Sequence, residues 1–118
     1  YNLDMVYINS NHNRRDGKDS FKAMQEHAKK MGYTFNYLLD EESELANTLG
    51  AKTTPHVFMF DKLSKLIYKG AIDDNYESIS LVKTFYLKNA IQSHALGNEI
   101  EIPETKAIGC SIKRYNPQ

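Results

Sequence analysis

Short apolar runs separated by amphipathic segments constrain the fold of this chain more than any other feature of its sequence. Residues 5–8 and 57–60 are continuous apolar runs, which are typical of strands buried on both faces of a sheet. Between them, a helix is predicted from four apolar residues at helical spacing, Phe21, Met24, Ala28 and Met31. Asp19 or Ser20 is its candidate N-cap, and Gly32 follows its last turn.

The remainder of the chain continues this alternation. Residues 35–39 predict a second strand, after which Asp40 can cap a helix that stops at Gly50. Residues 57–60 and 65–69 predict a β-hairpin across a short polar turn. A long last helix is predicted from apolar residues at helical spacing, which are Ile79, Val82, Tyr86 and Ala90.

The predicted order of elements is βαβαββα, with the last helix ending near Gly97. Strands that alternate with helices indicate a parallel βαβ unit with a right-handed crossover, and the hairpin adds an antiparallel edge. The fold class is therefore α/β, with a mixed sheet flanked by helices. A length of 118 residues suits one domain. We place this domain at residues 1–97 and a C-terminal tail, which packs on or near it, at residues 98–118.

The balance of charge argues against polyanionic partners. Lys and Arg together number 15, as do Asp and Glu, so no net field favours nucleic acid or an anionic membrane. The apolar runs are far shorter than a membrane span. We therefore expect a soluble protein without nucleic-acid or membrane partners; its compartment, bacterial cytoplasm or periplasm, stays open. A single free cysteine is compatible with either compartment.

No metal or cofactor site is predicted. The four histidines lack the spacing of metal ligands and are interpreted as surface or packing residues; they are His12, His27, His56 and His94. The one cysteine, Cys110, excludes an internal disulfide and a cysteine-rich zinc site. Residues 73–75, Asp-Asp-Asn, are interpreted as a turn and N-cap before the last helix.

Three stretches of the chain carry a specific resemblance to a known family. They are VYINSN at residues 6–11, TPHVFMFD at residues 54–61 with GAIDDN at residues 70–75, and TKAIGCSIK at residues 105–113. In this order and spacing they resemble the thioredoxin-like redoxin family related to the AhpC/TSA peroxiredoxins, over nearly the whole chain. The resemblance implies a thioredoxin-like sandwich. It also implies a thiol–disulfide oxidoreductase or a peroxidase, whose partner is a thiol or disulfide protein substrate or a hydroperoxide.

The Thr54-Pro55 step is the part of this resemblance that bears on a binding site. On spacing alone, Pro55 is a trans proline that opens a strand, where its missing N–H is tolerated. The resemblance instead implies a cis bond, which leaves the Thr54 backbone free to pair with an extended substrate. We therefore expect Thr54, Pro55 and His56 to border the substrate groove.

Cys110 lies far from this step in the sequence, and three roles are open to it. The residues alone favour an unreactive tail thiol. Its place in the GCSIK stretch implies a resolving or regulatory thiol that attacks a disulfide or sulfenate formed on another cysteine. An intermolecular disulfide is the third role. Lys106, Lys113 and Arg114 could stabilise its thiolate if the tail brings them close.

The resemblance also implies a part that these residues do not contain. In the family, a strand and a helix with the reactive motif, commonly Cys-x-x-Cys, precede the strand equivalent to residues 6–8. That extra strand would lie between residues 5–8 and 57–60. Nothing in the chain matches the motif, so we expect the 118 residues to be inactive alone. Unpaired strand edges would then lead to a homodimer, a domain swap or aggregation.

A second interpretation needs no missing part. The order βαβαββα is itself a complete minimal thioredoxin topology, and the redox motif would then fall in residues 9–19, which have no cysteine. The chain would be a catalytically silent module that binds a peptide or protein partner. The family's element order and a first residue of Tyr1, rather than Met, favour the first interpretation.

Overall fold

The computed structural model describes residues 3–11, 20–32, 36–75 and 77–113, in which strands and helices alternate. In chain order these are β1 (Val6–Asn9), α1 (Phe21–Met31), β2 (Asn36–Leu39), α2 (Glu44–Leu49), β3 (Thr53–Thr54), β4 (Val57–Phe60), β5 (Leu66–Gly70), α3 (Tyr86–Ala95) and β6 (Cys110–Ser111). The protein is mixed α/β, as predicted. It forms two units, residues 1–51 with 112–118 and residues 52–111. Across the described ranges, every helix is too short or too polar to cross a membrane.

In the first unit, β1 and β2 form a parallel pair, and α1 connects them in the chain. Val6 lies opposite Asn36 at the start of the pair. This arrangement is the βαβ unit that the alternation of apolar runs predicted. The predicted positions of His12, Asp19 and Phe35 lie outside the described residues.

The start of α1 and the ends of α1 and α2 follow the predicted capping signals. The Ser20 hydroxyl accepts a hydrogen bond from the Ala23 N–H at 3.0 Å, which caps the first turn of α1. Gly32 ends α1 and Gly50 ends α2, with φ values of 67° and 74°. A residue without a Cβ adopts these left-handed conformations at little cost, so both helices end where glycine occurs.

The second helix begins later than predicted. We expected it to start directly after Asp40, but Glu42 and Ser43 both have φ of 53° and form part of a 3₁₀ turn. The Asp40 carboxylate reaches past this turn and accepts hydrogen bonds from the Leu45 and Ala46 N–H groups, at 2.8 and 2.9 Å. Asp40 therefore caps the helix as expected, but across a turn that displaces the helix start.

The expectation that residues 5–8 are buried on both faces is wrong. The side chains of Val6, Tyr7 and Ile8 are 45%, 44% and 41% exposed. In the described ranges β2 is the only strand that pairs with β1, so β1 lacks the cover of a central strand. The strands of these ranges form three separate two-stranded sheets, β1–β2, β3–β6 and β4–β5, where we expected one mixed sheet.

In the second unit, β4 and β5 form the predicted antiparallel hairpin. Met59 lies opposite Tyr68, and the register shifts at Phe60. The turn is held by Asp61, whose carboxylate accepts from the Leu63 and Lys65 N–H groups at 2.8 and 2.9 Å. The Lys65 hydrogen bond is the main reason that the pKa of Asp61 lies below its ordinary value.

One face of this hairpin packs on α3 and forms the core of the second unit. Met59, Tyr68 and Ala90 are buried at its centre. They are surrounded by partly buried side chains, which are Val57, Ile67, Tyr86, Leu87, Ile91 and Ile100. Burial raises the pKa of Tyr68, and its hydroxyl hydrogen-bonds to the Ala71 carbonyl and the Thr105 hydroxyl. Among the described residues of the unit, the most deeply buried aromatic side chain, Tyr68, therefore has its hydroxyl group hydrogen-bonded.

The last helix is shorter than its apolar spacing predicted. Residues 79–81 form a 3₁₀ turn and α3 starts at Tyr86. The Asp74 carboxylate accepts from the Lys83 and Thr84 N–H groups at 2.9 and 3.1 Å, which fixes the chain before α3 in a non-helical path. Ile79 is 81% exposed, so its helical spacing from later apolar residues does not reflect a shared buried face.

The described part of the tail adds to the edge of β5. The Lys69 N–H donates to the Pro103 carbonyl at 3.1 Å, and the Thr105 N–H donates to the Lys69 carbonyl at 3.0 Å. Between them, Glu104 forms a parallel bridge with Lys69 and an ion pair at 3.3 Å. A Cβ on Gly70 would lie 2.2 Å from the Thr105 hydroxyl oxygen, so this close approach requires glycine.

Candidate functional site

The predicted substrate-binding residues lie at β3 and directly after it. β3 consists of Thr53 and Thr54, and the Thr54–Pro55 peptide bond is cis, as the resemblance implied. Thr54 and Pro55 are exposed, whereas His56 is partly buried. This exposed step leads directly into β4, which belongs to the core hairpin.

Cys110 lies beside this step. β6 pairs with β3 in antiparallel orientation, with Cys110 opposite Thr54 and Ser111 opposite Thr53. The Cys110 thiol is free and exposed. The structure thus brings together two predicted site residues, Thr54 and Cys110, that are far apart in the sequence. The sequence motifs showed no sign of this strand pairing.

Gly109 explains how the tail approaches β3 so closely. A Cβ at residue 109 would lie 2.1 Å from the Thr54 carbonyl oxygen and 3.3 Å from the Pro55 side chain. The first of these distances is well inside van der Waals contact, so any other residue would force the strands apart. The glycine of the GCSIK stretch is therefore needed for the pairing that places Cys110.

His56 presents a neutral imidazole near the same step. Its ring stacks on Phe58 with centroids 4.5 Å apart, and its Nδ1 accepts a hydrogen bond from the Lys52 N–H at 3.3 Å. With Nδ1 accepting, the proton of the neutral ring is assigned to Nε2. Burial, followed by the positive charges of Lys69 and Lys52, lowers the pKa of His56 below its ordinary value. The ring is therefore neutral at pH 7 and able to donate through Nε2.

A cavity of about 400 Å³ opens beside Pro55, within the second unit. Its lining mixes apolar and polar side chains, which are Pro55, Ala71, Ile72, Asp73, Asp74, Asn75, Ile79, Tyr86, Thr105, Lys106 and Ile108. A volume of this size falls in the range of small-molecule and side-chain pockets. Sequence reasoning missed Thr105 and Ile108 of this lining and named Lys106 only for a different role, although all three belong to the TKAIGCSIK stretch.

The acidic turn of this cavity is already engaged in hydrogen bonds. Asp74 accepts from two backbone N–H groups before α3, and Asp73 accepts from the Asn75 N–H at 3.0 Å. The Asn75 side chain in turn accepts from the Glu77 and Ser78 N–H groups, both at 3.1 Å. Residues 73–75 therefore form the predicted turn, but the prediction that they cap the last helix is wrong, because Phe85 is the N-cap of α3 and no side chain caps it.

Of the basic residues expected near Cys110, Lys106 and Lys113 are among the described residues. Lys106 lines the cavity. Lys113 belongs to the first unit, where its N–H donates to the Asn11 side chain at 2.9 Å. Arg114 lies outside the described residues.

Solved structures share the fold of this chain. The crystal structure of an uncharacterized conserved protein from Geobacillus kaustophilus superposes with a TM-score of 0.85 and 32% identity, over 98% of this chain and 61% of that one. A hypothetical protein, SMc02350 from Sinorhizobium meliloti 1021, gives a TM-score of 0.84 and 28% identity, over 98% of this chain and 63% of that one. The chain thus spans less than two thirds of each neighbour. No protein-family model and no curated protein matches it.

Proposed function

We propose that this chain is part of a thioredoxin-like thiol redox protein, a thiol–disulfide oxidoreductase or a peroxidase. The observation that carries the proposal is the pairing of Cys110 with Thr54, directly beside Pro55. An exposed thiol beside a strand edge is accessible to a substrate, and thiol–disulfide exchange depends on such access. The neutral His56 imidazole lies one residue beyond the same proline.

In the proposed reaction, Cys110 acts as a resolving thiol. Its thiolate attacks the sulfur of a disulfide or a sulfenate formed on a second cysteine. The new S–S bond joins Cys110 to that cysteine, and a thiolate or a hydroxide leaves. Because Cys110 is the only cysteine of the 118 residues, the second sulfur comes from a substrate or from a cysteine outside residues 1–118.

The test compares the 118-residue chain with the full product of its gene. We expect the gene product to catalyse dithiothreitol-dependent reduction of insulin or of a hydroperoxide, and the 118 residues alone to be inactive. Cys110→Ser in the gene product should leave an oxidised cysteine unresolved, trapped by a sulfenate-specific reagent or as a persistent mixed disulfide. Ser111→Ala, a change to the neighbouring residue of β6, is the matched control and should keep the activity.

Two results would contradict the redox proposal. The first is a gene product without thiol-dependent turnover of either substrate. The second is a Cys110→Ser variant that leaves no unresolved oxidised cysteine in a single turnover without dithiothreitol, because no other thiol is then present to replace Cys110. The first result would favour a second candidate function, a peptide-binding module without catalysis. That candidate is supported by β3, which already pairs with an extended strand through backbone atoms and needs no thiol to do so.

A further inference from the structure

We propose that the Thr53–Thr54 edge of β3 is a binding surface for an extended peptide with an apolar residue, a glycine and a cysteine in succession, and that the chain's own tail occupies it. This inference rests on the proposed function in taking β3 as the edge that receives the substrate. Residues 108–111, Ile-Gly-Cys-Ser, are then an internal copy of the substrate motif. A partner binds only when this tail strand leaves β3.

The first support is the pairing itself. β6 lies antiparallel to β3, with Cys110 opposite Thr54. This places a cysteine of an extended strand next to the proline step, which is where a substrate cysteine would have to lie. Backbone pairing of this kind is the general means by which a sheet edge binds an extended peptide.

The second support is the selectivity for glycine. A Cβ at residue 109 would lie 2.1 Å from the Thr54 carbonyl oxygen and 2.9 Å from its carbonyl carbon. Any strand that takes the place of β6 in the same register approaches the same Thr54 carbonyl group. The residue before the partner's cysteine must therefore be glycine.

The third support is the cavity beside Pro55. Ile108, the residue before Gly109, lines this cavity together with Ile72 and Ile79. A partner in the same register would bring its own residue before the glycine to these isoleucines. The apolar part of this lining, Pro55, Ile72 and Ile79, favours an apolar side chain at that position, beside the polar residues 73–75.

The pairing of β6 is short, and this makes displacement feasible. It involves two residues, and both Cys110 and Ser111 are exposed. Short, exposed pairings open more readily than buried strands. Only molecules whose tail has left β3 can bind a partner. The apparent dissociation constant therefore equals the intrinsic constant divided by the fraction of such open molecules.

The experiment uses a labelled peptide with the sequence of residues 105–113 in which serine replaces the cysteine, so that binding is measured without redox chemistry. It is titrated by fluorescence anisotropy into the unchanged 118-residue chain and into Gly109→Ala, in which the clash with Thr54 weakens the internal strand. We expect Gly109→Ala to bind the peptide about tenfold more tightly than the unchanged chain does. Leu63→Ala is the control, because Leu63 is 81% exposed in the turn between β4 and β5, and it should bind like the unchanged chain.

A second variant and a second peptide distinguish displacement of the tail strand from a general effect of Gly109→Ala on folding. Ser111→Pro removes a backbone N–H from β6 instead of adding a clash, and it should tighten peptide binding in the same direction. A peptide with alanine in place of the glycine should bind at least tenfold more weakly than the glycine peptide. Its alanine Cβ would lie only about 2 Å from the Thr54 carbonyl oxygen and would clash with it.

Three results would overturn the inference: no variant binds the peptide, all bind it equally, or the alanine peptide binds as well as the glycine peptide. Because the peptide has no thiol, these results are independent of turnover. A protein that binds the peptide as expected but lacks redox activity would contradict the proposed redox function and leave the binding surface in place.

Discussion

The strands β1 and β4 have similar sequences, VYIN and VFMF, but very different surroundings. Met59 of β4 is 7% exposed, and its partner across the hairpin, Tyr68, is fully buried against α3. Ile8 of β1 is 41% exposed. The comparison teaches that an apolar run predicts a strand, whereas its burial depends on elements that the run itself does not encode.

Truncation of one side chain in each strand should produce the largest difference. Met59→Ala leaves a cavity in the core of the second unit and should lower the free energy of unfolding by about 2–5 kcal/mol. Ile8→Ala removes a side chain that already contacts solvent and should lower it by about 1 kcal/mol or less. Urea unfolding followed by circular dichroism measures both changes. Equal losses would show that β1 is as well covered as β4.

Self-association should be the next largest effect, and it should originate at β1. We expect the unchanged chain to associate with further copies as its concentration rises, because β1 presents exposed apolar side chains on a strand that pairs with β2 alone in the described ranges. Val6→Lys should reduce this association in light scattering. Leu63→Lys is the control, since Leu63 is 81% exposed in the hairpin turn but lies on no strand. A monomer at all concentrations, or an equal effect of both variants, would contradict this prediction.

A smaller effect should appear in the pH dependence of the second unit. The folded-state pKa of His56 lies below its ordinary value of 6.5, so the unfolded chain binds a proton that the folded chain does not. His56 should therefore lower stability progressively as the pH falls below 6.5 through the folded-state pKa, and should have no such effect above about pH 7.5.

Two variants test this assignment through urea unfolding at pH 7.5, 6 and 5. His56→Gln should lose less stability than the unchanged chain as the pH falls. Lys69→Met removes the charge with the larger effect of the two that lower the His56 pKa, so it should give an intermediate slope. A His56→Gln variant with an unchanged slope would assign the pH dependence to another group.

The sequence predicted local features well, because their causes are local. Ser20 caps α1, Gly32 and Gly50 end their helices, and the hairpin turn follows from a few consecutive residues. The start of α3 was missed because it depends on Asp74, whose carboxylate binds N–H groups nine and ten residues later. Apolar spacing contains no information about such a contact.

The candidate site divides in the same way. The Thr54-Pro55 step and Cys110 could be singled out by the resemblance of short motifs. Their pairing through β3 and β6 could not, because two-residue strands have no periodicity to detect. The reason for Gly109 is visible only when the Thr54 carbonyl is placed against it.

The close contact between Gly70 and Thr105 has a consequence for hydrogen exchange. The amides of Lys69, Ala71 and Thr105 each donate to an acceptor across this contact, at 3.1, 2.9 and 3.0 Å. Thr105 lies outside every helix and strand of the described ranges, yet its amide exchanges with solvent only when the contact opens. We therefore expect the amides of Lys69, Ala71 and Thr105 to exchange slowly. In a shortened chain that ended at Gly97, the amides of Lys69 and Ala71 would lose their acceptors and would be open to water.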